Sequence, residues 1–244
     1  MNLVEAIEVR RSRRAYLPVP LDPGVVEKLR QLIALYSQGI EGRIELVLDN
    51  GSAFEGLRKS YGMFSGVRHY IGLIGNKNNL SSSEQLGYYG QLLMLDATAE
   101  GLGSCWVSGS FDRKSCPFSL SEEESIISTV VVGKAVEHDS RKERLIRSLV
   151  HRKTKTAEEM FVADPPVPDW FLCGMKAVQK APSAANRQPV TFSYQEGKTT
   201  AWVENLTDAT LAVDLGIAKC NFEIGAGGGT WGWGNHAEFV RADT

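Results

Sequence analysis

The chain has 244 residues, with 27 Lys and Arg against 29 Asp and Glu; a formal net charge of -2 gives no general attraction to nucleic acid or to an anionic membrane surface. At 43% hydrophobic and 23% charged residues it has the composition of a globular protein with a substantial core, and small molecules are the expected partners. Cys105, Cys116, Cys173 and Cys220 make no C-x-x-C pair, and His69, His138, His151 and His236 stand apart, so neither a zinc site, a disulfide framework nor a hydrolytic triad is signalled.

The N-terminus lacks the apolar core of a signal peptide and no apolar run reaches bilayer length, which suggests a cytoplasmic protein with reduced thiols. Leu3, Val4 and Ile7 suggest one face of a short helix ending at the basic run Arg10 to Arg14. Pro18, Pro20 and Pro23 punctuate a linker. Asp22 is placed to cap a second helix whose stripe is Val25, Leu29, Leu32, Ile33 and Tyr36, with Pro23 in its first turn. "RIELVLDN" and "HYIGLIGN" read as strands. "SSEQLGYYGQLLMLDATAEGLG", with serines at its start and Gly101 at its end, is apolar enough for a central buried helix.

"SLSEEESIIS", opened by Ser121 with acids in its first turn, reads as a short helix, and "STVVVGKA" as a strand. A charged, Pro-rich stretch follows and divides the chain. After it, Trp170 to Lys180 is helical, "PVTFSYQ" and "KTTAWVEN" are strands joined at Gly197, and "ATLAVDLGIAKCNFEIGAGGG" is another apolar helix ending in glycines. Helix, strand, strand, and buried helix ending in Gly thus occur twice in the same order. Such an ordered series points to an internal duplication, with residues 1–150 as one half, 151–168 as a basic, Pro-rich connector and 169–244 as a shortened second half, together one integrated unit.

Three stretches carry chemistry. "RRSRR" places four guanidinium groups and a hydroxyl within five residues, a pattern that either grips a phosphate or forms a solvated basic turn. Arg152, Lys153 and Lys155 form a second basic cluster. "EGLGSCWVSGS" has small residues that let backbone approach a planar ligand, or it is an ordinary helix end leading into a strand. The glycines of "GAGGGTWGWG" end a helix instead of preceding one, which rules out a dinucleotide fingerprint. Cys105 reads as a small apolar filler, and of Tyr61, Met63 and Phe64, open to a substrate-facing role, at least two read as core.

Together with "APSAANRQP" from Ala181 to Pro189, these stretches resemble the FMN-dependent nitroreductases. That family combines an Arg-x-Ser-x-Arg motif, an A-P-S-x-x-N-x-Q-P loop, an apolar helix ending in G-L-G, and a late basic pair. The resemblance implies an α+β fold: an antiparallel-rich sheet flanked by helices around a central apolar helix. The order departs from the family's, because the A-P-S loop comes in the second half, as in a divergent nitroreductase branch with two fused pseudo-repeat halves. The duplication would then imitate the family's homodimer, and a monomer could hold one complete site. The resemblance implies FMN held by Arg10, Arg11, Ser12 and Arg14 with Lys153 and Lys155, by backbone of Val107, Ser108 and Gly109, and by Pro182, Ser183, Asn186 and Gln188. It implies no catalytic side chain and no metal, NADH or NADPH as hydride donor, and ping-pong reduction of a nitroaromatic, quinone or similar acceptor. The alternatives are a non-catalytic flavin-binding or sensing protein and a different flavin reaction on the same fold.

Overall fold

The computed structural model describes residues 1–56, 60, 62–138, 143–145, 148 and 154–242; Tyr61, His151, Arg152 and Lys153 lie outside them. Helix α1 (Leu3–Val9) opens on a reciprocal cap in which Asn2 Oδ1 accepts from Glu5 N–H at 2.8 Å and Glu5 Oε2 accepts from Asn2 N–H at 3.0 Å. It buries Ala6 and Ile7, whereas Val4 is 51% exposed and is not part of the inward face. In α2 (Pro23–Tyr36) Asp22 Oδ1 accepts from Gly24 N–H at 2.8 Å, and Leu29 is the buried centre of the expected stripe.

Strands β1 (Arg43–Val47), β2 (His69–Gly75), β3 (Gly103–Val107) and β4 (Ser125–Gly133) form an antiparallel sheet in the order β1-β2-β4-β3. The helix expected around residues 119–128 is absent. Ser121 N–H does donate to Glu124 Oε2 at 2.9 Å, the half-cap that made a helix plausible. Arg43, however, holds Glu124 at 2.8 Å, and from Ser125 onward the β-branched run is drawn into the sheet between β2 and β3.

Helix α3 (Leu80–Ala99) is capped by Asn79 ahead of the expected serines, its Oδ1 accepting from Ser82 N–H at 3.0 Å. The helix is buried on most sides, as its small and apolar residues dictate. In the second half come α4 (Asp169–Gln179) and α5 (Ala209–Gly225), with a sheet ordered β5-β6-β7-β9-β8 from β5 (Phe161–Ala163), β6 (Val190–Gln195), β7 (Lys198–Val203), β8 (Gly229–Trp231) and β9 (Glu238–Arg241). Only the β5–β6 pair is parallel, and β5 comes from the stretch read as connector. Glu196 and Gly197, both at positive φ (51° and 77°), make the tight β6–β7 turn.

Without β5, the second sheet repeats the strand order of the first. The two buried helices cross reciprocally: a Cβ on Gly87 of α3 would overlap the backbone of Val213 on α5, and one on Gly216 would overlap the backbone of Glu84 on α3. Glu84 and Val213 each precede the partnering glycine of their own helix by three residues, so the crossing has approximate two-fold symmetry. At its edge the buried Lys219 pairs with the buried Glu84 and donates to Gly232 O at 3.1 Å and Gly234 O at 3.0 Å. Burial pulls the Lys219 ammonium below its ordinary value, and Glu84 offsets part of that shift. No described helix is long and apolar enough to cross a membrane.

Candidate functional site

A cavity of about 550 Å³ opens where the halves meet. The first half contributes the turn after α1 and the end of β3, and the second half the loop after α4 and one face of α5. Arg10, Arg11, Ser12, Arg14, Val107, Ser108, Gly109, Pro182, Ser183 and Asn186 all border it, residues separated by up to 176 positions in the chain.

The basic turn is fixed by its backbone. Arg13 N–H donates to Ser104 O at 2.8 Å, laying the turn along β3, and the Tyr16 hydroxyl donates to Arg13 O at 2.7 Å. The Arg13 side chain turns inward and donates through Nε to Glu143 Oε1 at 3.3 Å and through Nη2 to Val136 O at 2.5 Å. Glu143, 1% exposed, also accepts from Arg14 N–H at 2.6 Å and Ala15 N–H at 3.2 Å. One guanidinium thus serves the scaffold, while Arg10, Arg11 and Arg14 reach the cavity.

Arg10 is the most constrained of these. Its Nη2 donates weakly to Lys180 O at 3.4 Å, while its Nη1 is buried with no hydrogen-bond partner among the described residues. Burial lowers its pKa to about 10, with Cys105 acting in the opposite direction. A desolvated guanidinium at a cavity wall is chemically suited to an anionic partner. Cys105 itself is buried and free, and burial pushes its thiol up, which suits a filler and not a nucleophile.

The end of β3 forms the second wall. Arg113 holds Ser108 O at 2.7 Å, the Ser108 and Ser128 hydroxyls share a hydrogen bond at 2.9 Å, and Gly109 has open space where a side chain would stand. Trp106 also borders the cavity. Its Nε1 donates to Gln91 Oε1 at 3.0 Å, Gln91 Nε2 to Asn221 Oδ1 at 2.8 Å, and Asn221 Nδ2 to Ala177 O at 2.8 Å, a buried chain that ties this wall to α4 across the halves.

The loop at residues 181–189 is the third wall. Ala185, Asn186 and Gln188 all have left-handed φ, 51°, 54° and 48°, which for Ala costs about 1 kcal/mol and is sustained only by surrounding bonds. Ser183 Oγ accepts from Gln188 N–H at 2.9 Å, and Asn186 Nδ2 donates to Thr154 Oγ1 at 3.2 Å. Gln188 and Lys155 lie off the cavity wall. Gln188 is 3% exposed, so its amide must be satisfied inside the protein: Oε1 accepts from Lys155 N–H at 2.8 Å, Nε2 donates to Gln179 O at 3.1 Å, and its carbonyl accepts from Lys155 Nζ at 2.9 Å. Lys153 falls outside the described residues.

The site also contains residues that the motifs did not indicate. Asp214, in the middle of α5 and 4% exposed, accepts the Ala184 N–H at 3.0 and 3.2 Å, and burial raises its carboxyl to about 7. A lone acid within "LAVDLGIA" was the available signal. Glu143 had none, being one charge among many in its stretch.

A family described as "Putative TM nitroreductase" matches residues 2–226. Among solved structures, a putative nitroreductase from Thermotoga maritima MSB8 shares 20% identity over 99% of this chain and 93% of its own, with a TM-score of 0.67. A nitroreductase family protein from Clostridium difficile 630 shares 19% over 69% of this chain and 100% of its own at a TM-score of 0.47. An FMN-dependent nitroreductase from Clostridium difficile R20291 shares 19% over 62% and 98% at 0.45. The Thermotoga likeness is one of fold along almost the whole chain, and the other two add no argument beyond it. No curated protein matches. From the family match along 2–226, the chain belongs to the putative nitroreductase family.

Proposed function

We propose that the protein is an FMN-binding oxidoreductase that takes hydride from NADH or NADPH and passes it to a nitroaromatic, quinone or similar small acceptor. The observation that carries this reading is the cavity wall that gathers the desolvated Arg10 with Arg11, Ser12 and Arg14. The residues fit a phosphorylated flat ligand: guanidinium groups for a phosphate, and opposed walls of small residues for a ring.

On this reading Arg10, Arg11, Ser12 and Arg14 hold the phosphate. The backbone of Val107 to Gly109 lies along one edge of the ring, and Pro182, Ser183 and Asn186 close the other. Lys155 and Gln188 keep the loop in shape from behind. Bound FMN supplies the hydride chemistry, so the chain needs no strong acid or base of its own. The walls would position the ring and shield it from water, and on this reading donor and acceptor use the one cavity in turn.

The repeated strand order and the reciprocal glycine crossing support an ancestral duplication in which one chain took over both sides of a dimer interface, each half losing the element that the other kept. A monomer then suffices. The test is the visible spectrum of protein incubated with FMN and freed of excess, followed by anaerobic NADH or NADPH. Retained flavin that bleaches supports the reductase, and retained flavin that stays oxidised favours a sensing role. Asn186→Trp in a chain that stays monomeric by light scattering is expected to weaken FMN binding at least about tenfold; unchanged affinity would exclude the late loop from the site.

A further inference from the structure

The loop at residues 181–188, which Thr154, Lys155 and Gln179 hold from one side, is tied to α5 through the charged Asp214. Beneath it lies a small space bordered by Asp214 and nine uncharged residues, among them Met160, Val178, Gln188 and Ala218. Asp214 is also part of the wall of the main cavity. Its two oxygens share the single Ala184 N–H, leaving most of a carboxylate's acceptor capacity unused by the described residues.

The other half uses the same device without the charge. Asp214 stands two residues before Gly216 of the crossing, and Gln85 stands two residues before Gly87. Gln85 Oε1 accepts from Glu41 N–H at 2.9 Å, anchoring the chain after α2 as Asp214 anchors the chain after α4. A neutral amide therefore suffices to pin backbone at this position. The acid stands only where the pinned loop borders the cavity.

We propose that Asp214 is a positioning residue that couples the ligand-facing loop to pH: ionised, it pins the Ala184 amide and holds residues 181–188 against the bound flavin, and protonated, it loosens them. The inference rests on the flavin reading of the cavity. Burial sets the Asp214 carboxyl at about 7, with Ala184 N–H and Arg187 pulling it down and Asp208 pushing it up. Elsewhere the cavity wall carries Arg10, Arg11, Arg14, Lys180, Glu8 and Glu143. Above neutrality the anchor is a charge-assisted hydrogen bond, and below it a weaker neutral one. Stability runs in the opposite direction. Because the fold binds this proton at higher pH than the unfolded chain does, ionising Asp214 costs stability progressively from the ordinary carboxylate range up to about pH 7.

The test compares wild type, Asp214→Asn, which keeps an acceptor without charge, and Asp214→Ala. Two quantities are read from about pH 6 to about pH 8: hydrogen exchange of residues 181–188 in ligand-free protein, corrected for intrinsic rates, and FMN dissociation constants from flavin fluorescence. The flavin phosphate titrates near about 6 in all three proteins, so only differences between them count. In wild type, exchange slows and binding tightens about tenfold more than in Asp214→Asn across this range, while Asp214→Ala exchanges fast and binds weakly throughout. Equal pH slopes in wild type and Asp214→Asn, in both measurements, would overturn the proposal. If no variant binds FMN, the flavin reading falls, and the exchange data still decide whether Asp214 anchors the loop.

Discussion

The two halves share a plan and differ in how they fill it. The first packs α3 against an aliphatic layer of Ile71, Leu73, Val130 and Val132, and the second packs α5, through its own Phe222, against Phe171, Phe192, Trp231 and Phe239. The second half is the shorter, and aromatic rings bury more area per residue; Phe192 stacks on Phe222 with centroids 5.0 Å apart, and Phe222 meets Phe239 edge-on at 5.2 Å. The crossing of α3 and α5 stays near-symmetric while the walls of the cavity are divided, guanidinium groups on one side and the left-handed loop on the other. The near-symmetry holds at the crossing, where backbones touch, and does not extend to the cavity walls.

The largest test of this contrast is Lys219. Three residues past Gly216 stands Lys219, whereas three residues past Gly87 stands Gly90, so the buried ion pair with Glu84 has no counterpart. Lys219→Met leaves Glu84 buried without its cation and should cost about 3–5 kcal/mol in urea denaturation. Glu84→Met combined with Lys219→Met should regain only part of that, because Gly232 O and Gly234 O still lack the Lys219 donor. A single substitution that left the midpoint unmoved would show the pair to be incidental.

Next come the glycines. Gly87→Ala and Gly216→Ala each drive a methyl into facing backbone, and each should cost about 3 kcal/mol by thermal or chemical denaturation. The comparison is sharpened by their similarity: losses of the same size support a two-fold crossing, and a tolerated Gly216→Ala beside a ruinous Gly87→Ala would break it. The smallest effect on the fold, and the most selective, is that of Arg10→Met. Without flavin it removes a desolvated cation and should leave stability equal or slightly higher. With FMN, affinity should fall about 10- to 100-fold, since a buried charged hydrogen bond is lost. Isothermal titration reads the second effect, and a drop in stability without any drop in affinity would assign Arg10 to the scaffold.

Much of this arrangement is legible in the sequence. Asp22 followed by Pro23 opened α2, paired strands flanked Gly197, and the apolar middles of α3 and α5 marked them as central, because caps, turns and burial leave local signals. The stretch at 119–128 misled because Ser121 and Glu124 satisfy a helix-start pattern whose outcome is decided by Arg43, a residue far off in sequence. Motifs name most of the cavity residues, but which of them face it is not legible in the sequence. Gln188 and Lys155 look like ligand groups in a linear motif, yet the burial of Gln188 makes it take Lys155 as a partner, and Arg13 is set apart from its neighbours by Glu143 and Val136, both far off in sequence.

The distance in sequence between the cavity's walls also sets an order of events during synthesis. Arg10 meets Lys180, and Glu8 pairs with the same lysine 172 positions away, so neither contact can form until the second half has been made. At about 5–20 residues per second, that leaves the basic turn without its opposite wall for roughly 10–30 s after it is synthesised. The first half therefore presents its basic turn without an opposite wall until the residues that follow α4 have been made.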